Sequence, residues 1–216
     1  MNSIEFKSSR SALRGWVMAG AALLFGFGMG DFARADAQTT ATTICAACHG
    51  ADGNSPIAPN YPKLAGLQKE YIVKQLNDFI SGKRKNDTMT PMAQQIAPEE
   101  IQGIAEYFSK QKSTRGEVTS RMTASAGKVL YNAGNDESGV PACIGCHQAR
   151  GGGYLGPTGI YPKISNQPAD YIKDQLKAFA AGQRSNDVSR FMRTTAKRMT
   201  EEEMDEVAQY LSTVGE

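Results

Sequence analysis

Along this chain the apolar positions recur at helical spacing in two matched pairs of segments. Ile101, Ile104, Ala105 and Phe108 follow the i, i+3, i+4, i+7 rule, and so do Met204, Val207, Ala208 and Leu211, so each set predicts an amphipathic helix with one buried face. Pro98 suits the first turn of the earlier helix, and Thr200 with Glu203 makes a capping-box pattern at the start of the later one. Segments 68–81 and 168–181 form the second pair, with Tyr71, Ile72, Gln75, Leu76 and Phe79 in one and Tyr171, Ile172, Leu176 and Phe179 in the other. Ser125 to Tyr131 predicts a further short helix, whereas the stretch before Cys45 is brief and Thr-rich. Strand signals are absent, so the fold class expected is all-α.

The matched helices belong to an internal duplication. At an offset of 100, Tyr61-Pro62-Lys63-Leu64 meets Tyr161-Pro162-Lys163-Ile164, Tyr71-Ile72 meets Tyr171-Ile172, and Gly82, Arg84, Asn86 and Asp87 meet Gly182, Arg184, Asn186 and Asp187. Beyond Asp87 the offset becomes 103, because the segment Val188 to Phe191 carries three extra residues. The expected organisation is a first module at 38–111, a polar linker at 112–122 and a second module at 123–216. Modules of this size have marginal apolar cores and usually need a staple.

Ahead of the modules, Lys7, Arg10 and Arg14 precede an uncharged run from Trp16 to Gly30 and then small residues of A-x-A character. This reads as an export signal, residues 1–37, with cleavage after Ala35 or Ala37. The uncharged run is shorter than the ~18 apolar residues of a membrane-spanning helix, and no other long apolar segment follows it. Residues 1–37 hold four basic and three acidic side chains, so their removal leaves 20 Lys plus Arg against 19 Asp plus Glu. That balance argues against nucleic acid as a partner.

Every cysteine and every histidine lies in one of two copies of a five-residue motif, Cys45-Ala-Ala-Cys48-His49 and Cys143-Ile-Gly-Cys146-His147. Disulfides, an all-thiolate zinc site or redox dithiols could use the thiols, but none explains a histidine directly after both second cysteines. C-x-x-C-H is the attachment signature of c-type haem: two thiols add to the two vinyl groups of one porphyrin, and the adjacent imidazole reaches the iron. The sequence therefore predicts two covalently attached haems, on Cys45 and Cys48 and on Cys143 and Cys146, with His49 and His147 as proximal iron ligands. Attachment after export places the protein in a bacterial periplasm.

With both histidines spent, methionine is the candidate for the opposite side of each iron. Six methionines follow residue 37, at 89, 92, 122, 192, 199 and 204. In the repeat register only Met89 and Met192 coincide, whereas Met199 and Met204 fall on Ile96 and Ile101 and read as core. Met89 and Met192 are the expected sixth ligands, with Met92 in reserve. Such His/Met iron has no vacant position and a raised potential. Pro62 and Pro162 are candidates to accept a hydrogen bond from the proximal rings, and Arg84 and Arg184 are candidates to hold haem propionates.

Two C-x-x-C-H modules, each followed by a Y-P-K loop, a Y-I-x-x-Q-L helix, a G-x-R-x-N-D segment, methionine and a closing helix, resemble the soluble dihaem cytochromes of the cytochrome c-four type. The stretch Gly50-Ala51-Asp52-Gly53-Asn54-Ser55-Pro56 strengthens the match, which covers 44–213. The resemblance implies two tandem class I cytochrome c domains related by a pseudo-two-fold, with propionates facing each other. It implies an electron carrier without substrate turnover of its own, working between redox proteins such as a membrane oxidase, a bc-type complex or a periplasmic reductase. The alternative is a haem subunit of a dehydrogenase complex such as a flavocytochrome.

Overall fold

The computed structural model describes residues 36–116, 120–156 and 159–214. The expected export signal lies outside them up to residue 35, as do residues 117–119 of the expected linker. In the first module residues 36–40 are α-helical and run through a π-helical turn, Ala41–Cys45, into α1, Ala46–His49. There follow α2, Lys69–Ile80, α3, Met89–Ala93, and α4, Ile101–Ser109. The second module repeats the order with α5, Arg121–Ala133, α6, Ile144–His147, α7, Ala169–Ala180, α8, Phe191–Ala196, and α9, Glu201–Thr213.

Both expected helix pairs form and bury the expected faces. Ile72, Leu76, Phe79, Ile101, Ile104, Ala105 and Phe108 make the first core. Ile172, Leu176, Phe179, Met204, Val207, Ala208 and Leu211 make the second, with Leu130 and Tyr131 from α5. Met204 is 4% exposed, as its register with Ile101 implies. At the start of α9 the Thr200 hydroxyl accepts from Glu203 N–H at 3.1 Å while the Glu203 carboxylate accepts from Thr200 N–H at 2.7 Å, so the capping box closes in both directions.

The duplication extends to the loops. Gly53 O accepts from Leu64 and Ala65 N–H, and Gly151 O accepts in the same way from Ile164 and Ser165. Gly66 N–H then bonds Phe108 O at 2.9 Å and Asn166 N–H bonds Leu211 O at 2.8 Å, tying each loop to its closing helix. Both residues are left-handed, φ 68° and 64°, a conformation that glycine adopts freely and asparagine tolerates.

Three features differ from the sequence reading. The helix before the second haem motif starts at Arg121, not Ser125, because the Ser120 hydroxyl accepts from Thr123 N–H and caps it; Met122 sits in its first turn, 84% exposed. The Thr-rich stretch before Cys45 is also helical and is packed through Ala37 and Ala41, both 0% exposed. A short hairpin, β1, Tyr154–Gly156, and β2, Gly159–Tyr161, pairs antiparallel in the second module, and Tyr154 stacks on Tyr161 with centroids 4.8 Å apart.

Candidate cofactor sites

Each C-x-x-C-H motif ends on a single helical turn, which puts its two cysteines at i and i+3 on one face with the histidine behind them. All four thiols are free of disulfide bonds. Cys45 and Cys143 pack against the two cores, and burial pushes both thiols up to about 11. Redox dithiols depend on the opposite shift, so that role does not fit Cys45 and Cys143.

The histidines are oriented by the loops. His49 Nδ1 lies 2.8 Å from Pro62 O, and His147 Nδ1 lies 2.9 Å from Pro162 O. A carbonyl can only accept, so Nδ1 carries the proton and Nε2 keeps its lone pair. Burial lowers both imidazole pKa values against the opposing pull of the proline carbonyls, which favours the neutral ring that a metal requires. His49 Nε2 is buried and has no hydrogen-bond partner, an orphaned acceptor of the kind that iron would satisfy.

In the second module a cavity of ≈ 460 Å³ opens beside the motif, a size suited to a cofactor. Cys143, Cys146 and His147 share its wall with Met192, and with the apolar side chains Ile172, Leu176, Phe179 and Leu211. Met199 lines it as well. In the first module Met89 and Cys45 pack against the same core, and Met92 is half-buried on the next turn. Asn86 Oδ1 accepts from Met89 N–H at 2.8 Å; in the second copy Asp187 accepts from the N–H of Arg193, the residue after Met192, at 3.0 Å.

Arg84 and Arg184 stand where the modules meet. Arg84 donates to Gln75 Oε1 at 2.8 Å within its own module, then across the boundary to Gln175 Oε1 at 2.8 Å and Tyr171 OH at 3.2 Å. Arg184 mirrors it, with Gln175 at 2.8 Å, Gln75 at 3.3 Å and Tyr71 OH at 3.0 Å. Each guanidinium also lies over its own phenylalanine, Phe79 or Phe179. Both arginines are buried, and neither has a carboxylate partner among the described residues. Two buried cations on neutral acceptors call for anionic groups, which fits haem propionates.

A second set of contacts between the modules, like the cross-module bonds of the arginines, was not indicated by the sequence. Gln167 accepts from Lys63 N–H at 2.9 Å and donates to Lys63 O at 2.8 Å, while Gln68 accepts from Lys163 N–H at 2.8 Å and donates to Tyr161 O at 2.9 Å. Each Y-P-K loop is thereby clamped by the other module, one residue from the proline that holds its own histidine.

The cytochrome c family model matches residues 35–112 and again 124–215. The chain belongs to the cytochrome c family. Cytochrome c4 of Thiocapsa roseopersicina is 44% identical over 174 residues, covering 81% of this chain and 88% of that protein. The thiosulfate dehydrogenase electron acceptor of Thiomonas intermedia is 39% identical over 170 residues, covering 78% of this chain and 77% of that one. The crystal structure of reduced recombinant cytochrome c4 from Pseudomonas stutzeri superposes with a TM-score of 0.74 at 32% identity, covering 87% of this chain and all of that one (100%). This cytochrome c is accordingly a mostly helical, two-domain electron carrier with two covalently bound c-type haems, one for each C-x-x-C-H motif.

Proposed function

We propose that the protein is a periplasmic shuttle that accepts and releases single electrons through two His/Met-ligated haems and transforms no substrate. In this reading His49 and Met89 hold the first iron and His147 and Met192 the second. The amino-terminal segment up to Ala35 then directs export, the two haem domains run over 36–111 and from Arg121 onward, and the residues between join them as a linker. The packing of Ala37 and the start of α5 move both boundaries by two residues from 1–37 and 112–122. The observation that carries the reading is the wall of the second cavity, where the His147 imidazole, held through Nδ1 by Pro162 O, and the thioether of Met192 line the same apolar space.

Bound haem supplies a reversible one-electron couple. The chain's own residues do the rest. The cysteines anchor the porphyrin, the Pro62 and Pro162 carbonyls fix the rings, and the apolar walls exclude water. Arg84 and Arg184, which stand at the boundary between the modules, would hold the propionates. Their partners are redox proteins, and no helix among the described residues is long and apolar enough to cross a membrane.

A second reading has a specific observation behind it: one relative bears the name of an electron acceptor of thiosulfate dehydrogenase. In that reading the protein takes electrons from a dehydrogenase partner. A spectrally monitored redox titration, combined with affinity capture from a membrane extract, separates the two. Two one-electron steps and capture of an oxidase or reductase support the shuttle, whereas co-purification with a catalytic dehydrogenase chain supports the second reading.

A further inference from the structure

Pro62 O and Lys63 N belong to one peptide group, and so do Pro162 O and Lys163 N. Each of these groups is hydrogen-bonded at both ends. His49 Nδ1 donates to Pro62 O at 2.8 Å, while Lys63 N–H donates to Gln167 Oε1 at 2.9 Å. His147 Nδ1 donates to Pro162 O at 2.9 Å, while Lys163 N–H donates to Gln68 Oε1 at 2.8 Å. Two unbroken chains result, each running from the proximal ring of one module through a single peptide to a glutamine of the other.

Both glutamine amides are held in one orientation. A backbone N–H can only donate, so Oε1 faces it, and Nε2 is taken up by a second carbonyl: Lys63 O at 2.8 Å for Gln167, Tyr161 O at 2.9 Å for Gln68. Gln167 is buried and Gln68 half-buried. Gln68 finds room because residue 153 is glycine; a Cβ there would stand 2.6 Å from Gln68 Nε2. The two peptide groups are equivalent in the repeat, but the two glutamines are not, since Gln68 falls on Pro168 and Gln167 on Leu67. The shared contact therefore does not follow from the common fold of the modules.

A peptide's N–H and C=O are conjugated, so an acceptor at the N–H draws electron density toward the carbonyl oxygen. That oxygen then accepts more strongly from Nδ1–H, and chains of hydrogen bonds in a low-dielectric interior reinforce one another in this way. A ring that gives up more of its Nδ1 proton is a more basic iron ligand and favours the ferric state.

We infer that Gln68 and Gln167 tune the haems crosswise: Gln68 of the first module holds down the potential of the second haem, and Gln167 of the second module holds down that of the first. The inference rests on the electron-carrier reading and adds to it two positioning residues, each lying in the module opposite the iron it acts on.

The test compares the two-haem protein with Gln68→Leu and Gln167→Leu, which remove the amide. Two quantities are read: the potential of each haem, followed through its own methyl resonances in a redox titration, and the position of each ring Nδ1 proton in the reduced, diamagnetic protein. Gln68→Leu should move the His147 proton upfield and leave the His49 proton in place. It should also raise the reduced-to-oxidised ratio of the second haem about threefold at a given applied potential, a shift of ~28 mV. Gln167→Leu should do the converse. Gln68→Glu keeps an oxygen opposite Lys163 N–H and should leave the His147 proton at or downfield of its wild-type position. Tyr71→Phe removes a different bond between the modules, the one to Arg184, and should move neither ring proton. The half-buried Gln68 decides the case if Gln167→Leu fails to hold both haems. Shifts confined to the substituted module, equal shifts from Tyr71→Phe, or ring protons unmoved in Gln68→Leu with both one-electron steps intact overturn the crosswise tuning and leave the carrier reading standing. A two-haem protein without reversible one-electron steps overturns the carrier reading, and the tuning with it.

Discussion

A Cβ placed on Gly127 would stand 1.9 Å from the carbonyl oxygen of Glu206, so α5 crosses α9 backbone to backbone at that point. In the first module the glycine lies on the other helix: a Cβ on Gly103 of α4 would meet Ala37 Cβ at 2.5 Å. At the offset of 103, Gly103 and Glu206 are equivalent, so the two modules reach one close crossing with glycine on opposite partners. Gly127→Ala should destabilise the second module by about 3 kcal/mol, at the upper end of overpacking costs. Gly103→Ala should be rescued by Ala37→Gly, because that clash is between two side-chain atoms. Denaturant melts followed at the haem band check both, and a Gly127→Ala protein as stable as wild type would contradict the crossing.

Arg84 and Tyr171 connect the modules at 3.2 Å, and Arg184 with Tyr71 repeats the link at 3.0 Å. Burial alone would raise the Tyr171 pKa, but the two guanidinium groups beside it bring it below its ordinary value. Arg84→Lys keeps the charge and loses the fork that serves several acceptors at once. It should cost about 2 kcal/mol and separate a single unfolding transition into two, one for each module. Calorimetry reads the outcome directly; one unsplit transition at wild-type temperature would show that the interface contributes little.

Glu203 joins the start of α9 to the turn after α5, accepting from Thr200 N–H, from Asn135 at 2.7 Å and from Ser138 at 3.0 Å. Burial works to raise its pKa, but these donors outweigh it and hold the carboxyl below the usual value. A depressed carboxylate adds stability that is present above the unfolded pKa, near 4.3, and is lost as pH falls through the folded value. Glu203→Gln should therefore cost about 1 kcal/mol near neutrality, and the gap to wild type should close in acid. Urea melts at the two extremes test this, and a gap that does not change with pH would contradict it.

Ala37 is fully buried against Gly103, in the first core. Of the two cleavage positions suggested by the A-x-A pattern, the one after Ala37 would remove this contact and the one after Ala35 would keep it. Amino-terminal sequencing of the exported protein should begin at Asp36. A chain beginning at Gln38 would contradict the packing argument.

Much of the architecture was legible because it rests on local signals. Helical periodicity gave the cores, and C-x-x-C-H marks haem through residue types that occur nowhere else in the chain. The Pro62 and Pro162 carbonyls followed from the repeat, since each follows its histidine in a matching loop. Features outside the repeat register were illegible. Gln68 and Gln167 perform reciprocal roles, yet at the offset of 100 they fall opposite Pro168 and Leu67, so alignment of the halves hides them. The hairpin escaped notice because three-residue strands are too short to show alternation, and ring stacking of Tyr154 on Tyr161 supports them instead. The helix before Cys45 was obscured by its alanines, which pack tightly but contribute little apolar signal.

The account turns on what faces each imidazole across the iron, and X-ray absorption at the iron edge of the two-haem protein measures this most directly. It should show a sulfur neighbour at both irons, and Met192→Ala should remove half of that signal, open the second haem to carbon monoxide and lower its potential by at least ~59 mV, the tenfold step of a one-electron couple. Iron without sulfur in the wild type, or a Met192→Ala protein with unchanged sulfur signal and potential, would contradict it.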